Sequence, residues 1–97
     1  MSEQTIKLTG RPDEQLDLVI KEPVGGGYKW RVASAGPAVD VQQKREPGSG
    51  GAIGAAKSVT VLMKPRERGR HRVVMELSRP WESEPAERRI IDIDVAD

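Results

Sequence analysis

Short runs in which every second residue is apolar follow one another along the whole chain. Leu16, Leu18 and Ile20 share one face of such a run, and residues 72–77 and 90–95 repeat the pattern. A period of two residues is typical of a β-strand that buries one face. A helical period does not stand out, because Gly or Pro interrupts each candidate window within a turn or two. The pattern predicts seven strands, near residues 5–8, 16–21, 28–33, 39–44, 58–63, 72–77 and 90–95.

The segments between these runs favour an all-β fold over disorder. The ten glycines and seven prolines of the 97-residue chain cluster there, as turn residues do in β proteins. Seven short strands predict a single immunoglobulin-like antiparallel β-sandwich over residues 1–97, with an OB-type barrel of about five longer strands as the alternative. The expected core is formed by inward-facing residues, namely Leu16, Leu18, Trp30, Val32, Val59, Val61, Val73, Met75, Ile91 and Ile93.

The connections between the predicted strands fall into two groups. If successive strands alternate in direction, the first, third and fifth connections share one end of the sandwich, and the other three share the opposite end. The first group is short, polar and turn-like, at residues 10–13, 34–37 and 65–69. The second group is long or Gly-rich, at residues 23–27, 45–56 and 79–87. We interpret the second end as a binding tip, because function is concentrated in loops on a rigid scaffold; tolerated surface insertions are the alternative.

Trp81 lies in the last of these connections, between Pro80 and Pro85, in an otherwise polar segment. One hypothesis is that its ring folds back as a lid on the core, and the other is that the ring is held out as a binding anchor. Trp is enriched among binding hot spots, but loop position alone leaves both hypotheses open. Tyr28 and Trp30, by contrast, share one strand face and are expected in the core, with Trp30 at the position of the buried sandwich Trp.

Composition argues against several kinds of site. The chain has no Cys and a single His, so it can form no disulfide framework and no Cys- or His-cluster zinc site. No nucleophile–base pair is evident, so an enzyme is the least expected class, and we expect no metal and no cofactor. The N-terminal residues form neither a basic nor an apolar signal region, and no run approaches the length of a membrane span. We therefore expect no membrane association, a monomer, and a cytoplasmic location unless a signal peptide has been removed.

Charge gives one further hypothesis to weigh. The formal net charge of +1 provides no global attraction to nucleic acid. Between Lys64 and Arg72, however, five basic residues accompany one Glu. This segment is either a nucleic-acid footprint or a solvated turn whose charges deter edge pairing. Connection parity puts it at the end opposite Trp81, without an aromatic stacking partner, so we expect no nucleic-acid partner.

The loops of the predicted tip resemble the signature loops of the chagasin-type cysteine peptidase inhibitors. That family has an Arg-Pro-Trp motif in its third loop, which is present here at residues 79–81. Its Gly-rich second loop can read Gly-Ala-x-Gly, which matches residues 51–54. Its first loop ends in Gly-Tyr-x-Trp, and residues 27–30 read Gly-Tyr-Lys-Trp. Gly25 and Gly26 stand where the family has a pair of Thr residues.

The resemblance implies a reversible protein inhibitor of papain-like cysteine peptidases, whose three loops form a wedge in the active-site cleft. The first loop would approach the catalytic Cys and His of the enzyme, and the other two would contact the sides of the cleft. The implied peptidase-binding residues are Val24, Gly25, Gly26, Gly27, Gly51, Ala52, Ile53, Gly54, Arg79, Pro80 and Trp81. The alternative, favoured by the missing Thr pair, is an immunoglobulin-like module that binds another protein or a glycan without inhibiting a peptidase.

Overall fold

The computed structural model describes residues 2–23, 25–45 and 57–96, and every regular element within these ranges is a β-strand. All seven predicted strands are present, and each is longer than predicted. Their bounds are β1 Ser2–Gly10, β2 Leu16–Glu22, β3 Lys29–Ala35, β4 Val39–Arg45, β5 Lys57–Pro65, β6 Gly69–Ser78 and β7 Glu87–Val95.

The strands form two sheets, one of four strands in the order β1-β7-β6-β3 and one of three strands in the order β2-β5-β4. Most pairs of strands that follow one another along the chain lie in different sheets. This arrangement is that of an immunoglobulin-like sandwich, so the predicted fold class is confirmed. Every pairing is antiparallel except that of β1 with β7, which is parallel. The parallel pair follows from strict alternation of direction, because the first and seventh strands then point the same way.

The core lies between the inner faces of the two sheets. Its buried apolar residues are Ile20, Trp30, Val39, Val59, Val61, Met63, Val73, Met75, Leu77, Ile91, Ile93 and Val95. Three residues of the predicted core, Leu16, Leu18 and Val32, are half-buried and pack against this cluster. They belong to β2 and β3, which are edge strands, so each has a neighbouring strand on one side alone.

The three short connections meet at one end of the sandwich. The backbone N–H of Asp13 donates to the carbonyl of Pro65 (2.7 Å), and that of Arg66 donates to the carbonyl of Ala38 (2.7 Å). These bonds join the β1–β2, β3–β4 and β5–β6 connections directly. Residue 68 precedes β6 at this end, whereas residue 81 follows β6 at the other. The predicted division of the connections between two ends is therefore confirmed for the described residues.

The basic segment at this end is interleaved with acidic groups. Arg66 lies 3.6 Å from the carboxylate of Asp40, and Arg72 donates to Asp92 at 2.8 Å. The hydrogen bond from Arg72 also holds the pKa of the Asp92 carboxyl below its usual value. Both arginines are exposed, but each is paired with a carboxylate.

Candidate functional site

Two loops leave the opposite end of the sandwich side by side. Lys29, the first residue of β3, is paired with Ser78, the last residue of β6. The residues just before 29 and just after 78 are therefore neighbours. The connection between β4 and β5 also starts and finishes at this end of the sandwich. Lys57, at the start of β5, is paired there with Glu22, at the end of β2. Arg45, the last residue of β4, pairs with Val59 close by.

Part of the predicted site falls outside the residues that the structure describes. Those positions are Val24, Gly51, Ala52, Ile53 and Gly54. The other predicted positions, which lie on two loops at this end, are Gly25, Gly26, Gly27, Arg79, Pro80 and Trp81.

The loop between β2 and β3 contains three successive left-handed residues. The φ angles of Gly25, Gly26 and Gly27 are 89°, 73° and 80°, and all three residues are exposed. This region of φ and ψ is open to Gly and costly for most other residues. The glycines therefore allow a tight path that a pair of Thr residues would not adopt without strain. The loop presents main-chain N–H and C=O groups over these three positions, with no side chain to hold a neighbouring surface away.

Trp81 lies on this glycine loop. Its side chain is 70% exposed, so the ring is not a lid on the core. A β-carbon built on Gly27 would lie only 2.8 Å from Cη2 of Trp81, well inside the normal contact distance of two carbon atoms. The six-membered ring thus rests directly on the main chain of Gly27. Of the two hypotheses for this residue, the structure favours a ring held out at the tip.

Arg79 is held between two aromatic rings. Its guanidinium carbon lies 4.7 Å from the centroid of the Tyr28 ring and 5.5 Å from that of Trp81. It also forms an ion pair with Glu82, whose hydrogen bond raises the pKa of Arg79 above its ordinary value. A cation over an aromatic face is attracted by the ring quadrupole. The guanidinium therefore links the β2–β3 loop to the β6–β7 loop.

A four-residue turn presents Trp81 at its third position. The N–H of Glu82 donates to the carbonyl of Arg79 (3.1 Å) and closes the turn. Pro80 occupies the second position, where its fixed φ suits the commonest turn types. At the base of the loop, the N–H of Ala86 donates to the carbonyl of Leu77 (2.8 Å). The turn and this closing bond limit the freedom of the exposed ring before any partner binds.

An ion pair beneath the tip, between a buried carboxylate and a partly exposed guanidinium, was not predicted from the sequence. Glu22 is only 3% exposed, and its carboxylate accepts bonds from the N–H of Trp30 (2.8 Å) and from the guanidinium of Arg45 (3.2 Å). A signal for the pair was present in the pattern. Glu22 continues the inward phase of Ile20 on β2, and Arg45 continues the inward phase of Val41 on β4.

Two kinds of site find no support in the part of the chain that the structure describes. Within it, no three His, Asp or Glu side chains are grouped closely enough to hold a metal ion. The same ranges contain no helix that is long and apolar enough to cross a bilayer.

Comparison with known proteins identifies a family. The model of the chagasin family of peptidase inhibitors, I42, matches residues 9–95. No curated protein sequence is a significant match.

Several solved structures share the fold. The cysteine protease inhibitor EhICP2 from Entamoeba histolytica is 15% identical, with a TM-score of 0.69 and 97% of each chain covered. The solution structure of Amebosin is 17% identical, with a TM-score of 0.68 and 99% of each chain covered. PbICP-C, solved in complex with falcipain-2, is 17% identical, with a TM-score of 0.75, and the match covers 98% of this chain and 90% of that one.

Proposed function

This chain belongs to the chagasin family of peptidase inhibitors, and we propose that it inhibits papain-like cysteine peptidases by inserting the tip that carries Gly27 and Trp81 into their active-site cleft. The observation that carries this mechanism is the contact between these two residues. It joins the β2–β3 and β6–β7 loops into one projecting unit that exposes both a side-chain-free main chain and a large aromatic ring.

The glycine loop suits the deepest part of a narrow cleft. Because Gly25 and Gly26 have no side chains, whereas the Trp81 ring lies on Gly27, the peptide groups of the first two can approach the walls of the cleft closely. The main-chain groups can then form hydrogen bonds with the enzyme where a Thr pair would add bulk. The three exposed glycines with positive φ support the idea that this β2–β3 loop can do the work of the family's first loop without the Thr pair.

The β6–β7 loop supplies area and charge beside the cleft. Trp81 can bury a large surface on binding and has few bonds to immobilise. Arg79 is already oriented by Tyr28, Trp81 and Glu82. Groups that are ordered before binding lose less entropy when the complex forms, which favours affinity. The complex of the similar protein PbICP-C with falcipain-2 supports a peptidase as the partner.

Titration of papain with this protein tests the proposal. We expect stoichiometric loss of hydrolysis of a small fluorogenic peptide, recovered on dilution, and no effect on trypsin. Papain whose catalytic Cys carries a bulky alkyl group should bind more weakly, because the group would occupy the site of the glycine loop. The alternative, a module that binds another protein or a glycan, predicts full papain activity at every concentration of the protein, and that result would overturn the proposal.

A further inference from the structure

A polar cluster crosses between the two sheets directly beneath the tip. The carboxylate of Glu22, at the end of β2, accepts the N–H of Trp30, at the start of β3. The indole Nε1 of Trp30 donates in turn to the carbonyl of Lys21 (2.8 Å). The guanidinium of Arg45, at the end of β4, donates both to Glu22 and to the carbonyl of Trp30. These contacts join β2 and β4 of one sheet to β3 of the other.

Each of the three strand ends in this cluster is where the chain leaves the sandwich toward the tip or returns from it. The β2–β3 loop begins after Glu22 and ends just before Lys29, the residue next to Trp30, and residue 46 follows Arg45. A third charged group, the guanidinium of Arg89, lies 5.2 Å from the centroid of the Trp30 ring. The inner end of the core beneath the tip is therefore polar, whereas its middle is formed by Val, Ile and Met side chains.

Stability does not account for this arrangement. The cost of removing the Glu22 carboxylate from water offsets much of its attraction to Arg45, whose side chain stays 37% exposed, and well-packed apolar residues often replace pairs with a buried charge without loss. What the pair supplies in addition is a fixed orientation of the three strand ends relative to one another. A carboxylate that accepts from a guanidinium at three N···O distances of 3.2–3.3 Å and from one main-chain N–H has a restricted orientation.

We propose that Glu22 and Arg45 are positioning residues, which hold the ends of β2, β3 and β4 in the one arrangement that tight inhibition requires. This inference rests on the proposed function. Neither side chain needs to touch the enzyme, because the pair acts through the loop that starts after Glu22. Its loss is expected to weaken inhibition even in a protein that is as stable as the parent.

Paired substitutions separate positioning from stability. Arg45→Met keeps the aliphatic stem but leaves a buried carboxylate without its cation, so the melting temperature should fall. Adding Glu22→Gln removes that charge while an amide oxygen still accepts the N–H of Trp30, so the melting temperature should recover. The matched control is Arg72→Met with Asp92→Asn, a pair of the same chemistry at the far end of the sandwich.

Inhibition of papain is then measured below the melting temperature of each variant. If Glu22 and Arg45 position the tip, the Glu22→Gln/Arg45→Met protein inhibits about tenfold or more weakly than the parent despite its recovered stability. The control protein inhibits as the parent does. If inhibition recovers together with stability, or falls equally in the control, the pair is structural and the inference is wrong.

A second measurement does not depend on inhibition. The ¹H–¹⁵N resonances of Gly25, Gly26 and Gly27 should shift and their amide exchange should quicken in Glu22→Gln/Arg45→Met, and neither should change in the control. If the parent fails to inhibit papain, the proposed function is wrong. The spectra then decide separately whether the pair orients the loop, and unchanged Gly25–Gly27 resonances would overturn that role as well.

Discussion

The six-membered ring of Trp81 lies so close to Gly27 that a β-carbon at Gly27 would come within 2.8 Å of Cη2 of the ring. One residue belongs to the β2–β3 loop and the other to the β6–β7 loop, so the contact fixes the position of each loop relative to the other. Neither loop owes its position to its own sequence alone.

Gly27→Ala is expected to weaken inhibition by displacing Trp81. An Ala in this left-handed conformation costs about 1–2 kcal/mol of stability. Its methyl group would in addition clash with the Trp81 ring. Gly25→Ala is the matched control, because Gly25 has a similar φ of 89° but no atom within 4 Å of a built β-carbon. Inhibition constants and urea unfolding of the two variants separate clash from strain. Equal destabilisation of the two variants in urea would show that the ring contact is unimportant, whereas inhibition can fall in both because Gly25 also belongs to the loop that enters the cleft.

Arg79→Lys should reduce affinity although it keeps the charge. The ammonium group of Lys is compact and has no planar face, whereas the planar guanidinium lies over the rings of Tyr28 and Trp81. We expect a loss of about 0.5–2 kcal/mol, or roughly 2- to 30-fold in the inhibition constant, with little change in melting temperature. Arg31→Lys on the exposed face of β3 is the control and should behave as the parent. Unchanged inhibition by Arg79→Lys would contradict the role given to the stacked guanidinium.

Trp30→Ala should unfold much of the protein population. Trp30 is 1% exposed and its indole N–H is bonded to the carbonyl of Lys21. Removing a buried Trp ring costs about 3–5 kcal/mol, a large part of the stability of a small domain. Val19→Ala, at a side chain that is 56% exposed, should change stability by no more than about 0.5 kcal/mol. Denaturant unfolding of both variants checks the assignment, and equal effects would contradict it.

Asp92 should contribute to stability at neutral pH but not in acid. Its folded pKa lies below the unfolded value because of the hydrogen bond from Arg72. The contribution is therefore present above about pH 4 and is lost as the pH falls through the folded pKa. Unfolding of the parent and of Asp92→Asn should differ near pH 7, and that difference should shrink as the pH falls below about 4 and through the folded pKa of Asp92. A difference that stays constant over this range would show that the carboxylate charge is not involved.

The sandwich could be predicted because alternation of apolar residues directly reports burial on one face of a strand. The prediction was most accurate on β5, β6 and β7, where Val61, Met75 and Ile91 have neighbouring strands on both sides and are fully buried. It was less accurate for Leu16 and Leu18, because period two does not distinguish an edge strand from a central one. The parallel pairing of β1 with β7 also depends on which strands meet, which alternation does not specify.

The tip could be predicted only in part. Connection parity correctly brought Gly27 and Trp81 to one end, since it needs only the order and direction of the strands. It could not predict that the ring would rest on the Gly27 main chain, because that contact depends on the conformation of the turn at residues 79–82. The ion pair of Glu22 and Arg45 was missed because the predicted strands ended at residues 21 and 44, one residue before each partner.

Replacing Trp81 by Ala tests the central claim most directly. The measurement compares the inhibition constants of the parent and Trp81→Ala proteins against papain, together with their melting temperatures. If Trp81 is an anchor held out at the tip, the parent inhibits and the variant inhibits about 30- to 1,000-fold more weakly, a loss of about 2–4 kcal/mol, while its melting temperature stays close to that of the parent. A variant that inhibits as well as the parent, or one that loses its stability together with its inhibition, would contradict the account.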